Sequence, residues 1–163
     1  MMASLFAQHA AAVGLAAHAS SFGFGAEDEP PTDNTVRLLA ARGLDVSEHR
    51  SHRARTDEIL GANLIVTAER GHVVSVAGRW PGSFAYTFTL PELVERGEAV
   101  GPRGDRAIDD WLRAVSAGRP TAFDYLDAEI AEIADPTGQS PSVWTSSFND
   151  IDRLTRRLSE LLA

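Results

Sequence analysis

Apolar residues follow the 3.6-residue spacing of an amphipathic helix along much of this chain. The pattern is clearest at Ile108, Trp111 and Val115, which share one face of a helix that Gly118 would end. Leucines repeat in the same way toward the carboxyl end and predict a long helix there. Helices are therefore predicted at 1–13, 33–42, 56–60, 68–79, 91–96 and 108–115, and from Val143 to Leu162.

Three shorter segments, at 15–21, 64–67 and 84–89, are predicted to be β-strands. The second is a compact apolar run and the third is aromatic and β-branched, as buried strands commonly are. Because strands alternate with helices, the predicted fold class is α/β, with a doubly wound parallel sheet flanked by helices. Gly-rich and Pro-rich loops are predicted at 22–32 and 97–104. No repeat or linker divides the chain, which predicts a single domain over residues 1–163.

The composition and net charge of the chain argue against some classes of function. The chain has 163 residues, of which 44% are hydrophobic and 23% charged, so it can form an ordinary globular core. Its formal net charge of -8 argues against a nucleic-acid partner, because a surface that follows phosphates needs Lys and Arg in excess. No apolar run approaches the length of a membrane span. We therefore expect a cytoplasmic protein with no nucleic-acid or membrane partner.

The absence of cysteine removes several kinds of chemistry at once. Disulfides, cysteine-ligated metals and cysteine nucleophiles are all excluded within these 163 residues. His49 and His52 lie three residues apart in a basic stretch, but no carboxylate stands at ligand spacing beside them. A solvated loop is the better interpretation of this pair. The sequence predicts no metal and no cofactor.

Five segments follow one another in an order that resembles a known family. They are Ala19-Ser20-Ser21, Arg42-Gly43-Leu44-Asp45 with His49-Arg50-Ser51-His52, Ala62-Asn63-Leu64-Ile65-Val66-Thr67, Phe88-Thr89-Leu90-Pro91-Glu92-Leu93 and Asp135-Pro136-Thr137-Gly138-Gln139-Ser140. Together they resemble the low-molecular-weight protein tyrosine phosphatases, a family that includes one class of arsenate reductases. The resemblance spans nearly the whole chain.

The resemblance implies hydrolysis of phosphomonoesters, phosphotyrosine above all, with Asp135 as the catalytic general acid. Members of the family carry a C-x5-R-S phosphate loop before their first helix, and residues 1–6 match the segment just after that loop. The first strand, the nucleophilic Cys and the phosphate-binding Arg are thus predicted to be missing, as in an N-terminally truncated chain whose start codon lies upstream. The chain as given is expected to be inactive. With the loop restored, the expected partner is a phosphorylated protein or a small phosphomonoester.

Two other functions stay open at this stage. The chain can be a non-catalytic binding or regulatory pseudophosphatase that kept the scaffold, or an arsenate reductase-like protein. Thr137 and Gly138 stand where the eukaryotic branch of the family often has aromatic residues, so phosphotyrosine preference is less firmly implied than the fold. Residues 97–134 depart most from the family pattern, and the sequence indicates no function for them. The oligomeric state is not predicted.

Overall fold

A computed structural model describes all 163 residues and contains ten regular elements. The α-helices are α1 (Met2–Ala12), α2 (Asp33–Ala40), α3 (Thr56–Gly61), α4 (Arg70–Arg79), α5 (Leu90–Val100), α6 (Ile108–Val115) and α7 (Pro141–Leu162). The strands are β1 (Ile65–Thr67) and β2 (Thr87–Thr89), and a 3₁₀ helix, Pro81–Tyr86, comes directly before β2.

The two strands form a parallel sheet that has helices on both faces. Successive side chains of a strand point to opposite faces. Ile65 accordingly joins Ile59 and Val76 in a small cluster beneath α3 and α4, whereas Val66 and Phe88 pack with the main core on the other face. The α/β class with a parallel sheet is therefore confirmed.

The main core lies between the sheet and helices α1, α5 and α7. Helix α7 begins at Ser140-Pro141, where proline suits the first turn because its missing N–H has no helical partner there. Its buried stripe includes Leu154, Leu158 and Leu161, at the spacing that the sequence predicts. None of the helices combines the length and apolar composition that a bilayer crossing needs.

Helix α5 runs through Gly97, so the loop predicted over 97–104 is wrong at its start. A Cβ atom on Gly97 would stand 3.0 Å from Cζ2 of Trp111 and 3.1 Å from Cδ1 of Leu161. The Trp111 ring is completely buried, and its Nε1–H donates to the carbonyl of Gly101 at 2.9 Å. Glycine is therefore required here for close helix packing rather than for a turn.

Replacing Gly97 with alanine should lower the free energy of unfolding by about 1–2 kcal/mol. The methyl group gains about 0.5–1 kcal/mol of helix propensity, but overpacking costs about 1–3 kcal/mol. Gly78→Ala is the matched control, because Gly78 lies in α4 with no atom near its Cβ direction and should gain stability by about 0.5–1 kcal/mol. Urea unfolding measures both, and an unchanged or stabilised Gly97→Ala protein would contradict the packing argument.

The strand predicted at 15–21 is wrong, because this segment is irregular and pairs with no strand. Its one backbone hydrogen bond joins the N–H of Leu15 to the carbonyl of Ala10, at the end of α1. The side chains at 16–21 are mostly small and exposed, so they form no apolar face to bury against a neighbour. The first strand-like pairing after α1 is a single parallel bridge between Gly23 and Arg53.

The first half of the strand predicted at 84–89 is also wrong, since it belongs to the 3₁₀ helix. Proline at position 81 presets the backbone for a helical turn. Two hydroxyls tighten this turn: Ser83 Oγ donates to the Trp80 carbonyl at 2.7 Å, and Thr87 Oγ1 donates to the Ser83 carbonyl at 2.8 Å. Only the last three residues remain extended and pair with β1.

Candidate active site

An irregular segment, residues 131–135, lies against the carboxyl ends of both strands. The N–H of Ile133 donates to the carbonyl of Ala68, just after β1, at 2.9 Å. At the end of β2, the Thr89 hydroxyl donates to the carbonyl of Ala131 at 2.7 Å. Ligands of open parallel α/β sheets bind outside this edge. The carboxyl edge of the sheet is therefore the candidate active site.

Asp135 ends this segment in a tight turn and is exposed. Its Oδ1 accepts the N–H of Thr137 at 2.9 Å, and the N–H of Gln139 donates to the carbonyl of Pro136 at 2.9 Å. Gly138 supplies the left-handed conformation that the turn needs, with φ of 75°. The predicted turn is confirmed. The second carboxylate oxygen of Asp135 has no hydrogen-bond partner in the protein.

Two helices hold the backbone that leads into Asp135. From α7, Ser147 Oγ donates to the carbonyl of Ala134 at 3.1 Å. Arg70, the first residue of α4, donates its backbone N–H to Glu132 Oε2 at 2.9 Å. Its Nη1 donates to the carbonyls of Leu126 and Ala128 at 3.1 and 2.9 Å. These bonds hold the backbone that precedes Asp135 against helices α4 and α7.

A buried ion pair anchors the chain that precedes the segment. Arg119 and Glu92 are both 3% exposed, and the guanidinium meets the carboxylate in a two-pronged contact of 2.8 and 3.2 Å. The hydroxyl of Tyr125 donates to the same carboxylate at 2.6 Å. Such bidentate geometry satisfies both charges with directed hydrogen bonds. Sequence analysis missed this network, because charged residues are normally exposed.

The Arg119 guanidinium also makes hydrogen bonds and a ring contact beyond its pair with Glu92. It donates to the carbonyls of Phe84 and Thr87, both at 2.9 Å, and its carbon lies 4.0 Å from the ring centre of Phe88. Burial raises the pKa of the Tyr125 phenol, and the carboxylate of Glu92 raises it further. Tyr125 therefore stays protonated and keeps donating to that carboxylate.

A second polar cluster joins α1 to α7 and was also missed. His9 Nε2 lies 2.8 Å from Asp152 Oδ1, and Arg42 Nη2 lies 2.7 Å from the other oxygen of that carboxylate. Asp152 is buried within the apolar stripe of α7, beside Ile151. An aspartate inside a leucine-rich stripe was the signal available in the sequence, since a buried carboxylate needs a cationic partner.

Other residues singled out in the sequence take no part in the Asp135 turn. Ser20 and Ser21 are exposed and their hydroxyls make no hydrogen bond with the protein. His49 is exposed as well, whereas His52 Nε2 lies 2.8 Å from Glu58 Oε1. These contacts belong to the surface around α3 and not to the carboxyl edge of the sheet.

A groove of about 650 Å³ runs beside residues 131–134, between α5 and α7. Its arginines are paired with carboxylates: Arg153 lies 3.2 Å from Asp150, and Arg157 lies 2.7 Å from Glu98. A phosphate group binds where cations or N–H donors are unpaired. The groove therefore lacks the charge that a phosphate site requires.

No protein-family model matches this sequence, and no curated protein matches it. Solved structures do match over nearly the whole chain. A low-molecular-weight protein tyrosine phosphatase from T. tengcongensis is 22% identical, with a TM-score of 0.71 over 99% of this chain and 88% of that one. The YwlE arginine phosphatase of Geobacillus stearothermophilus is 22% identical, with a TM-score of 0.69 over 98% and 80%. Wzb from Vibrio vulnificus, bound to benzylphosphonate, is 14% identical, with a TM-score of 0.68 over 99% and 88%.

These neighbours share one α/β architecture that carries phosphatase sites. The chain has the fold of the low-molecular-weight protein tyrosine phosphatases. The structural superpositions establish the fold, and identities this low leave function to be argued from the site.

Proposed function

We propose that this chain is a low-molecular-weight phosphatase-type scaffold in which Asp135 is the general acid of phosphomonoester hydrolysis. We propose further that the 163-residue polypeptide does not itself catalyse the reaction. The observation that carries the proposal is the position of Asp135, in a fixed turn at the carboxyl edge of a parallel sheet of this fold.

The chemistry assigns a definite role to this carboxyl group. A thiolate attacks phosphorus, the sulfur–phosphorus bond forms, and the bond to the leaving oxygen breaks as an acid gives that oxygen its proton. Water then displaces the thiolate, and the carboxylate takes up the proton that water loses. The chain supplies the acid but contains no cysteine, so the sulfur–phosphorus bond cannot form on it.

The neighbouring structures support a substrate class. Their names describe a tyrosine phosphatase, an arginine phosphatase and a complex with benzylphosphonate, an aryl-substituted phosphonate. The corresponding substrate is a phosphorylated protein or a small phosphomonoester, with phosphotyrosine as the first one to test. The excess of carboxylates accords with action in the cytoplasm, away from nucleic acids and membranes.

A chimera tests the proposal. The first strand and the C-x5-R-S loop of the T. tengcongensis neighbour are joined ahead of Met1, and hydrolysis of p-nitrophenyl phosphate is measured. We expect turnover by the chimera, and none by the 163-residue polypeptide or by a chimera whose grafted cysteine is serine. A folded chimera without turnover, or turnover by the original polypeptide, would show that the proposal is wrong.

A non-catalytic binding protein on the same scaffold is the second candidate. The observation that favours it is the lack of a thiol nucleophile together with a well-packed hydrophobic core. An inactive chimera that binds a phosphorylated peptide would favour this candidate. The arsenate reductase-like alternative has no comparable support, because that chemistry uses additional cysteines.

A further inference from the structure

The loop that leads to the proposed acid has an unusual charge. Residues 121–135, here called the acidic loop, contain five carboxylates and no Lys or Arg. The loop thus carries more than half of the net charge of -8. Two of its carboxylates, those of Asp127 and Glu129, have no ion-pair or side-chain hydrogen-bond partner within the protein, so they are available to an external cation.

The same loop exposes apolar side chains. Phe123 is 92% exposed and Leu126 is 50% exposed, whereas nearly all other large apolar residues of the chain are buried or partly buried. An exposed aromatic ring costs free energy in water, and aromatic residues are enriched at protein interfaces. Phe123 contributes nothing to the core.

The acidic loop is held firmly. Tyr125, two residues from Phe123, is completely buried and bound to Glu92. Arg70 donates to the carbonyls of Leu126 and Ala128, at 3.1 and 2.9 Å. The backbone around the exposed ring is therefore preorganised, which lowers the entropy cost of binding a partner.

We propose that the acidic loop is a docking surface for a basic polypeptide segment, which places an apolar side chain against Phe123 and cations against Asp127 and Glu129. Aromatic residues are the commonest anchors of protein interfaces. Surrounding charges steer an oppositely charged partner and set its register. Both elements are present on one fixed loop, and the proposal stands without the proposed catalysis.

Charge also decides against other occupants. Nucleic acids and anionic membranes would be repelled by five carboxylates. A second copy of this chain carries the same net charge, and only its basic stretch, residues 49–55, would suit the acidic loop. A contact between two different patches of identical chains generates rings or open filaments, for which each copy would have to overcome the repulsion of the next. A separate basic polypeptide fits the surface better.

Fluorescence anisotropy with the 163-residue protein tests the proposal. The probe is a fluorescein-labelled peptide in which arginines alternate with leucines and serines, and a glutamate version of the peptide is the reference. We expect binding of the arginine peptide only, weakened about tenfold or more in Phe123→Ser. The double variant Asp127→Asn/Glu129→Gln should also bind more weakly, with a shallower dependence on salt.

Matched controls separate docking from general surface effects. Leu60→Ser removes an apolar side chain that is 64% exposed on α3, and Asp109→Asn/Asp110→Asn removes two charges from α6. Neither should change binding. The proposal is overturned if the arginine peptide does not bind, if the glutamate peptide binds equally, or if the controls lose as much affinity. Sedimentation that shows self-association abolished by Phe123→Ser would assign the surface to a second copy and overturn it too. Turnover is not measured, so these results are independent of the chimera.

Discussion

Replacing Arg119 with methionine should lower the free energy of unfolding by about 3–5 kcal/mol, the cost of removing one partner from a buried ion pair. The substitution leaves the carboxylate of Glu92 at 3% exposure with the hydroxyl of Tyr125 and the half-buried Arg96, 3.3 Å away, as its remaining partners. The carbonyls of Phe84 and Thr87 each lose one donor as well. Urea unfolding measures the change.

A double-mutant cycle shows whether the cost comes from the stranded charge. Adding Glu92→Leu to Arg119→Met removes the buried carboxylate that is left with Arg96 as its one cationic partner, so most of the lost stability should return. Arg153→Met is the control, because Arg153 and Asp150 form an exposed pair three residues apart on α7, and such pairs contribute about 0–1 kcal/mol. Equal losses in Arg119→Met and Arg153→Met would contradict the importance of the buried network.

The network also connects stability with the site. Arg119 lies just after α6, Glu92 lies in α5, and Tyr125 lies in the acidic loop, so one cluster of hydrogen bonds joins both helices to the chain that ends at Asp135. A rigid support of this kind is what a positioned acid requires, because proton transfer depends on the distance to the leaving oxygen. Loss of Arg119 should therefore loosen the acidic loop as well as the core.

Much of the fold follows from patterns that the sequence displays. The stripe of α6, with Trp111 and Leu112 buried, needed only helical spacing to be predicted. The turn at Asp135 was predictable because Pro and Gly restrict the backbone locally. The run at 64–67 was predicted as a strand, and β1 forms there, because Ile65 and Val66 place apolar side chains on opposite faces. In each case the residues that decide the structure are close together in the chain.

The features that sequence analysis missed depend on distant residues. Nothing in the neighbourhood of Glu92 indicates that Arg119 will meet it, since 27 residues separate the two. The joining of His9 to Asp152 spans 143 residues. The strand predicted at 15–21 is absent for a related reason. A strand forms only where a neighbouring segment accepts its hydrogen bonds, and no segment pairs with 15–21. Tertiary contacts overrode local preference at these places.

In the active chimera, Asp135→Asn should lower kcat/KM for phenyl phosphate, which reports cleavage of the bond to the leaving oxygen and not the later hydrolysis, about 10²–10⁴-fold, the range expected for loss of a general acid. Asparagine keeps the oxygen that accepts the Thr137 N–H, so the turn should persist. The loss should be much smaller for p-nitrophenyl phosphate, because its leaving oxygen departs readily without a proton.

The leaving-group comparison distinguishes a general acid from a residue that only shapes the loop. Asp105→Asn is the matched control, because Asp105 is an exposed carboxylate in the loop between α5 and α6 and makes no side-chain hydrogen bond, so its replacement should leave both substrates unaffected. A purely structural defect in Asp135→Asn would slow the two substrates by the same factor. That result would remove Asp135 from the chemistry, because proton donation is the step that depends on the basicity of the leaving oxygen.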